Sequence, residues 1–306
     1  LNDVQLLVQS CGLPPVCVME PIKGGIENSN FFLSLEDGRV IVLTLFEELN
    51  RAEAAFLGPL LAKLSAEALP VAEPFQNAQG EWLHTLAAKP AQLAPRLVGA
   101  HPLQPSAEAC HEMGAALARL HLALKNYPLQ RPHAHGEAWW LAVANRWRAL
   151  SNDADKALLE TVLEKYRTCL PEMLPKGLIH GDLFRDNVLF AEEKISGILD
   201  FSECGEGYWL LDIAITTNDF CRAWPLHTPD PIRLQAFLAG YSTQRLLEPA
   251  EQQAMPLFQA LAAMRFWLSR LEVQARNQAE QRSGETILEK DPREMRDLLA
   301  HYVQML

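Results

Sequence analysis

The sequence predicts an α+β chain of two lobes, a small antiparallel-sheet lobe followed by a larger, mainly helical one. Three observations predict it. Short β-rich runs separated by turn formers crowd residues 1–95. Helical stretches with apolar residues three to four apart dominate residues 96–306. One strand-rich island near 178–201 interrupts the helices. At roughly 100–200 residues per domain, a chain of 306 residues has room for both lobes.

The elements follow in order. Phe31–Leu35 and Arg39–Phe46 are β-rich runs around Glu36-Asp37-Gly38, and Asp-Gly between apolar runs signals a hairpin. Lys23 to Asn30 is a loop of turn formers before them. Arg51–Ala68 reads as one helix, closed by Pro70 and Pro74. Phe75–Asn77, Glu81–Thr85 and Leu86–Leu93 read as further short strands. Pro, Gly and a change of composition coincide over Ala94–Gly99, which makes it the candidate hinge. Ser106 caps a helix reaching about Leu124, with Met113, Leu117, Leu120 and Leu124 on one face. Further helices are expected at Ala138–Leu150, Lys156–Leu170, Pro231–Tyr241, Ala250–Gln278 and Arg293–Leu306.

Composition excludes several classes. The chain has 27 basic and 38 acidic residues, a formal charge of −11. A nucleic-acid partner would normally require a basic face. No run of 18 apolar residues suggests a membrane span, and Leu1–Gln9 lacks the order of a secretory signal. The six cysteines form no C-x-x-C pair and read as reduced thiols of a cytoplasmic protein. His133 and His135, beside Pro132, read as loop residues rather than metal ligands.

The chemistry is concentrated in Leu178-Ile179-His180-Gly181-Asp182-Leu183-Phe184-Arg185-Asp186-Asn187, followed by Ile198-Leu199-Asp200-Phe201. Phosphoryl transfer needs a carboxylate near the attacking hydroxyl and oxygen ligands for the magnesium ions on the triphosphate. Protein kinases meet this need with H-R-D-x-x-x-x-N and then D-F-G. Here the same intervals read H-G-D-x-x-x-x-N and then Asp-Phe. His180 and Asp182 are thus the candidate catalytic residues. Asn187 and Asp200, hard oxygen donors, are the candidate Mg²⁺ ligands.

Beyond this loop, Gly25–Phe32, Val42–Glu47, Gly114–Ala123, Leu211–Ile215, Met264–Leu271 and Lys290–Glu294 resemble the aminoglycoside phosphotransferase-like small-molecule kinases. Within them the chain is most similar to the bacterial homoserine kinases of that type. The resemblance implies a protein-kinase-like fold, with ATP and Mg²⁺ as cofactors and the hydroxyl of L-homoserine as acceptor. It implies that Asp182 orients or deprotonates that hydroxyl, and that Asp212 braces the catalytic loop, although Asp212 also fits a helix N-cap. It implies that Gly24, Gly25, Asn28, Ser29 and Asn30 cover the phosphates and that a linker from Gln92 through Ala94 to Arg96 meets the adenine. Thr44 stands where protein kinases carry the third-strand lysine. Lys23, Arg39 or Arg51 are the cations that could substitute.

An amino-acid acceptor needs a cation for its carboxylate and oxygens for its amine. Arg265 and Arg270 are the candidate cations, each equally suited to an inter-helix ion pair. Asn218 and Asp219 are the candidate amine ligands, each equally suited to a polar helix face. The alternatives are a kinase of another small hydroxyl compound (an aminoglycoside, choline, ethanolamine or a sugar) and a nucleotide-binding pseudokinase. Thr44 alone supports the pseudokinase, and the intact Asp182, Asn187 and Asp200 argue against it. The expected partner is a small molecule, with neither nucleic acid nor membrane.

Overall fold

Residues 2–22, 28–224, 228–279 and 290–306 are described by the computed structural model. They pack as two units, one of Leu1–Gly99 with Ser196–Ser202, the other of Ala100–Ile195 with Glu203–Leu306. The sequence places the boundary four residues earlier and does not anticipate the return of 196–202 to the first unit. The Ile198 N–H donates to the Pro70 carbonyl at 2.7 Å, and Ile198 bridges Val71 in parallel. Pairing of this kind across more than a hundred residues leaves no local signal.

The first unit runs α1 (Asn2–Ser10), β1 (Val16–Pro21), β2 (Asn28–Leu35), β3 (Val40–Phe46), α2 (Arg51–Ala54), α3 (Leu57–Ala66), β4 (His84–Leu86) and β5 (Lys89–Pro95). The strands form one antiparallel sheet in the order β1-β2-β3-β5-β4. Alternation along β3 buries Ile41 and Leu43 beside Leu33, Leu35, Ala91 and Leu93. Val4, Leu7 and Val8 of α1 share that core at helical spacing, a helix the sequence reading omits. The expected helix Arg51–Ala68 is instead split. Asn50 and Glu53 form a capping box on α2, and Pro59 in α3 lacks an N–H and would strike the carbonyl of Ala55 in a continuous helix. Leu86–Leu93 is likewise not one strand. Ala87 (φ 50°) and Ala88 (φ 62°) make a hairpin turn with both residues left-handed, a role normally given to Asn-Gly. Phe75–Asn77 and Glu81–Leu83 form no strands, because the Asn77 side chain accepts from the Gln79 and Glu81 N–H groups and closes a turn.

The second unit runs α4 (Ala107–Leu124), α5 (Glu137–Leu150), α6 (Asp153–Cys169), β6 (Lys176–Ile179), a 3₁₀ turn at Arg185–Asn187, and β7 (Val188–Ala191). β8 (Lys194–Ile198) straddles the division of the chain. β9 (Gly205–Tyr208), α7 (Trp209–Phe220), β10 (Arg222–Ala223), β11 (Thr228–Pro229), α8 (Pro231–Ser242), α9 (Pro249–Ala279) and α10 (Pro292–Val303) complete it. Caps set the helix starts: the side chains of Ser106, Asn152, Asp230 and Asp291 accept from N–H groups of the first turns of α4, α6, α8 and α10. α4 and α8 meet backbone to backbone. A Cβ at Gly114 would lie 2.0 Å from the Phe237 carbonyl oxygen, and one at Gly240 would lie 1.9 Å from that of His111. Among the described residues no helix is long and apolar enough to cross a membrane.

Candidate active site

β6 buries Leu178 and Ile179 and delivers the chain to His180. Gly181 then turns with φ +80°, and a Cβ there would lie 2.5 Å from His133 Nε2. Conformation and space both require glycine. The loop is held from α7. Asp212, fully buried, accepts the His180 N–H at 2.8 Å and the Gly181 N–H at 2.9 Å. Its Oδ2 also lies 3.1 Å from His121 Nε2, whose Nδ1 is 2.8 Å from the Tyr241 hydroxyl. Burial raises the Asp212 carboxyl, but the hydrogen bond and charge of His121 and the Gly181 N–H outweigh it and hold the group below its ordinary range. Asp212 sits inside the first turn of α7, whose N-cap is Tyr208, so the N-cap alternative does not hold.

Asp182 follows with its side chain 33% exposed, within reach of a ligand. Asn187 Nδ2 donates to both the Asp182 carbonyl (2.8 Å) and its Oδ2 (3.1 Å). The amide oxygen of Asn187 takes part in neither bond, which leaves a hard donor beside the carboxylate. His180 is fully buried, and its Nδ1 accepts the Asp182 N–H at 3.3 Å. That bond lies within the catalytic loop itself.

Four side chains join Asp182 in a cluster. Arg265 of α9 places Nη1 3.8 Å from Asp182 Oδ1 and Nη2 3.1 Å from Glu203 Oε2. Glu203 Oε2 also lies 2.6 Å from His135 Nδ1 and 3.6 Å from His133 Nε2. No motif spacing joins them in the sequence: Glu203 lies about 70 positions after the two histidines and about 60 before Arg265. Burial raises the Glu203 carboxyl, yet the His135 hydrogen bond and the Arg265 charge hold it at about 2. Burial, aided by the Arg265 charge, pushes His133 down to about 3.

A pH dependence follows. Between the ordinary histidine range and about 3, the unfolded chain binds a proton at His133 that the folded chain refuses. Stability from this residue is therefore complete above about pH 6.5 and is lost as pH falls. From pH 7 to pH 5 the loss is about 2 kcal/mol. Denaturant unfolding at the two pH values is expected to show a drop smaller by about that amount in His133→Gln; equal drops would refute it.

The remaining predicted residues are disposed differently. Arg270 donates through Nη1 to the Asp291 carbonyl and Glu294 Oε2, both at 2.7 Å, and so ties α9 to α10. Asp219 accepts the Arg185 N–H and Nε at 2.8 Å and Nη2 at 3.2 Å, which consumes its carboxylate. Asn218 Nδ2 donates to the Gln259 carbonyl, and its oxygen is buried without a donor. Neither joins Asp182.

In the first unit, Lys23, Gly24 and Gly25 lie outside the described residues. Asn28 opens β2 opposite Phe46. Ser29 donates to Glu47 Oε1 at 2.7 Å, and Lys89, a basic residue that the sequence reading does not single out, pairs with Glu47 Oε2. Thr44 donates to Asn30 Oδ1 at 2.7 Å across the β2–β3 pair. Arg39 pairs with Asp37 at the other end of that hairpin, and Arg51 is bound to Thr85 and the Leu83 carbonyl. Gln92 and Ala94 belong to β5, opposite Thr44 and Val42, so the linker begins only at Arg96. The Gln92 Nε2 is buried with no acceptor among the described residues. Asp200 is left-handed (φ 53°), and its Oδ1 accepts from Ser202 N–H (3.1 Å) and Oγ–H (2.5 Å). Among the described residues no three His, Cys, Asp or Glu side chains converge as a metal site.

Comparison with known proteins shows the family and the fold. The model of the APH family, phosphotransferase enzymes, matches residues 18–267. A homoserine kinase of Pseudomonas aeruginosa is 39% identical over 281 residues, 91% of this chain and 87% of that protein. One of Neisseria meningitidis serogroup B is 37% identical, over 92% of this chain and 90% of that protein. Among solved structures, an amicoumacin kinase superposes with a TM-score of 0.68 at 18% identity, over 98% of this chain and 92% of that one. A spectinomycin phosphotransferase superposes with a TM-score of 0.69 at 12% identity, over 99% and 96%. The chain belongs to the APH family of phosphotransferases and has its protein-kinase-like fold.

Proposed function

We propose that the chain transfers the γ-phosphoryl group of ATP to the hydroxyl of L-homoserine, giving O-phospho-L-homoserine for threonine biosynthesis, with Mg²⁺ as the metal. The observation that carries this reading is the exposed Asp182 carboxylate, fixed by Asn187 on a loop that Asp212 holds rigid. The curated homoserine kinases that align over about nine-tenths of the chain support the choice of acceptor.

The residues fit the cofactors. Asn187 keeps its amide oxygen clear of its own hydrogen bonds, and Asp200 turns Oδ1 toward Ser202 while Oδ2 takes no part there. Both are hard oxygen donors of the kind Mg²⁺ takes together with phosphate oxygens. The unpartnered Gln92 amide and the polar start of β2 fit a nucleotide in the same way. Bound Mg²⁺ supplies charge neutralisation on the phosphates.

Asp182 does the remaining work. Its carboxylate accepts the acceptor hydroxyl and aims the oxygen, then takes the proton as the oxygen is phosphorylated. Asn187 keeps Oδ2 in one orientation throughout. The backbone N–H bonds to Asp212 prevent the loop from relaxing away.

The test is ADP release with MgATP against L-homoserine, choline, ethanolamine and aminoglycosides. Turnover on homoserine alone, with kcat in the range of about 1–100 s⁻¹, is the expected result. Turnover confined to another acceptor overturns the substrate assignment and keeps the site. ATP binding without turnover on any of them favours the pseudokinase.

A further inference from the structure

We infer that Arg265 and Glu203 form the recognition site for the dipolar head group of an α-amino-acid acceptor, Arg265 taking the carboxylate and Glu203 the ammonium. The inference deepens the homoserine reading and rests on it.

The argument begins with an electrostatic anomaly. The Arg265 side chain is 3% exposed, yet among the described residues Nε and Nη1 have no hydrogen-bond partner. Buried guanidinium donors are normally all paired, since desolvating them without an acceptor is costly. Nη2 alone is paired, to Glu203. The ring of Phe266 lies 3.8 Å from the guanidinium carbon and covers one face. The unpartnered Nη1 is also the nitrogen nearest Asp182, at 3.8 Å from Oδ1, too long for a hydrogen bond. A free donor edge thus lies beside the carboxylate that receives the hydroxyl. A short acceptor with its hydroxyl on Asp182 brings its other end to Arg265.

Glu203 completes the match. Its Oε2 takes the bonds from His135 and Arg265, while Oε1 takes part in neither. His135 positions this carboxylate, and Glu203 in turn positions the guanidinium. His133, with both ring nitrogens unpartnered and its side chain 1% exposed, packs under Gly181 and is neutral above about pH 3. The cluster thus sets donors and an acceptor side by side, the open N–H groups of Arg265 and the Oε1 edge of Glu203. A zwitterion uses both: its carboxylate meets the N–H groups and its ammonium meets Glu203. A simple cation such as choline leaves the Arg265 donors unsatisfied, and a simple anion makes no use of Glu203.

Two analogues of homoserine separate the contributions. 3-Aminopropan-1-ol lacks the carboxylate and 4-hydroxybutanoate lacks the ammonium. Calorimetric binding is measured on enzyme saturated with a non-hydrolysable MgATP analogue. Arg265→Met is expected to weaken homoserine at least about 100-fold, down to the level of 3-aminopropan-1-ol, whose own affinity stays unchanged. Glu203→Gln is expected to weaken homoserine about 10- to 100-fold and to leave 4-hydroxybutanoate unchanged. Arg265→Lys restores part of the loss. The affinity of each variant for the nucleotide analogue reports folding. Equal losses for homoserine and both analogues, or no loss, overturn the assignment and leave these residues structural. A wild-type enzyme that neither binds nor phosphorylates homoserine instead overturns the substrate reading, whatever the variants do.

Discussion

Asp182→Asn is expected to lower kcat by about 10³- to 10⁴-fold while MgATP still binds. Asparagine keeps the size of the side chain and an oxygen for the Asn187 amide, so the loop survives. What disappears is the negative charge that orients the hydroxyl and the base that takes its proton. In the proposed reading, nucleotide binding falls to other side chains, Asn187 and Asp200 among them. Single-turnover transfer to homoserine, compared with calorimetric MgATP binding, separates the two effects. A kcat within tenfold of wild type would remove Asp182 from the chemistry.

Asp212→Ala is expected to destabilise the second unit by about 3–5 kcal/mol, because it strands buried partners of a charged group. The His180 and Gly181 N–H groups lose the carboxylate that accepts them at 2.8 and 2.9 Å, and His121 loses the group that faces it. None of these atoms can turn to water, since Asp212, His121 and His180 are all fully buried. Activity falls as well, since the Gly181 turn and with it Asp182 lose their anchor. Urea unfolding followed by circular dichroism gives the stability. A loss below 1 kcal/mol would mean that the loop holds itself.

Much of the architecture is local in origin and so legible from the chain. Ser106 and Asp291 cap helices, Asp37-Gly38 turns a hairpin, and the Met113–Leu124 stripe packs one helix face. The misreadings share a cause in chain geometry that residue type does not announce. Ala87-Ala88 adopts a turn that alanine rarely takes, held by the β4–β5 pairing on either side. Pro59 was a readable helix break that the alanine- and leucine-rich context obscured.

The sequence by itself determined the fold class and singled out the candidates for phosphoryl transfer. His180, Asp182 and Asn187 stand out because one short loop presents them at set intervals, and Asp200 because it follows at a fixed distance before Phe201. Only the tertiary structure decided which distant groups serve that loop. Arg265 and Arg270 look alike on one helix, but one approaches Asp182 and the other is spent on Glu294. Glu203, His133 and His135 meet Arg265 through packing alone. Charge pairing across a buried cluster depends on where helices and loops converge, and that convergence is set by the whole core rather than by neighbours in sequence.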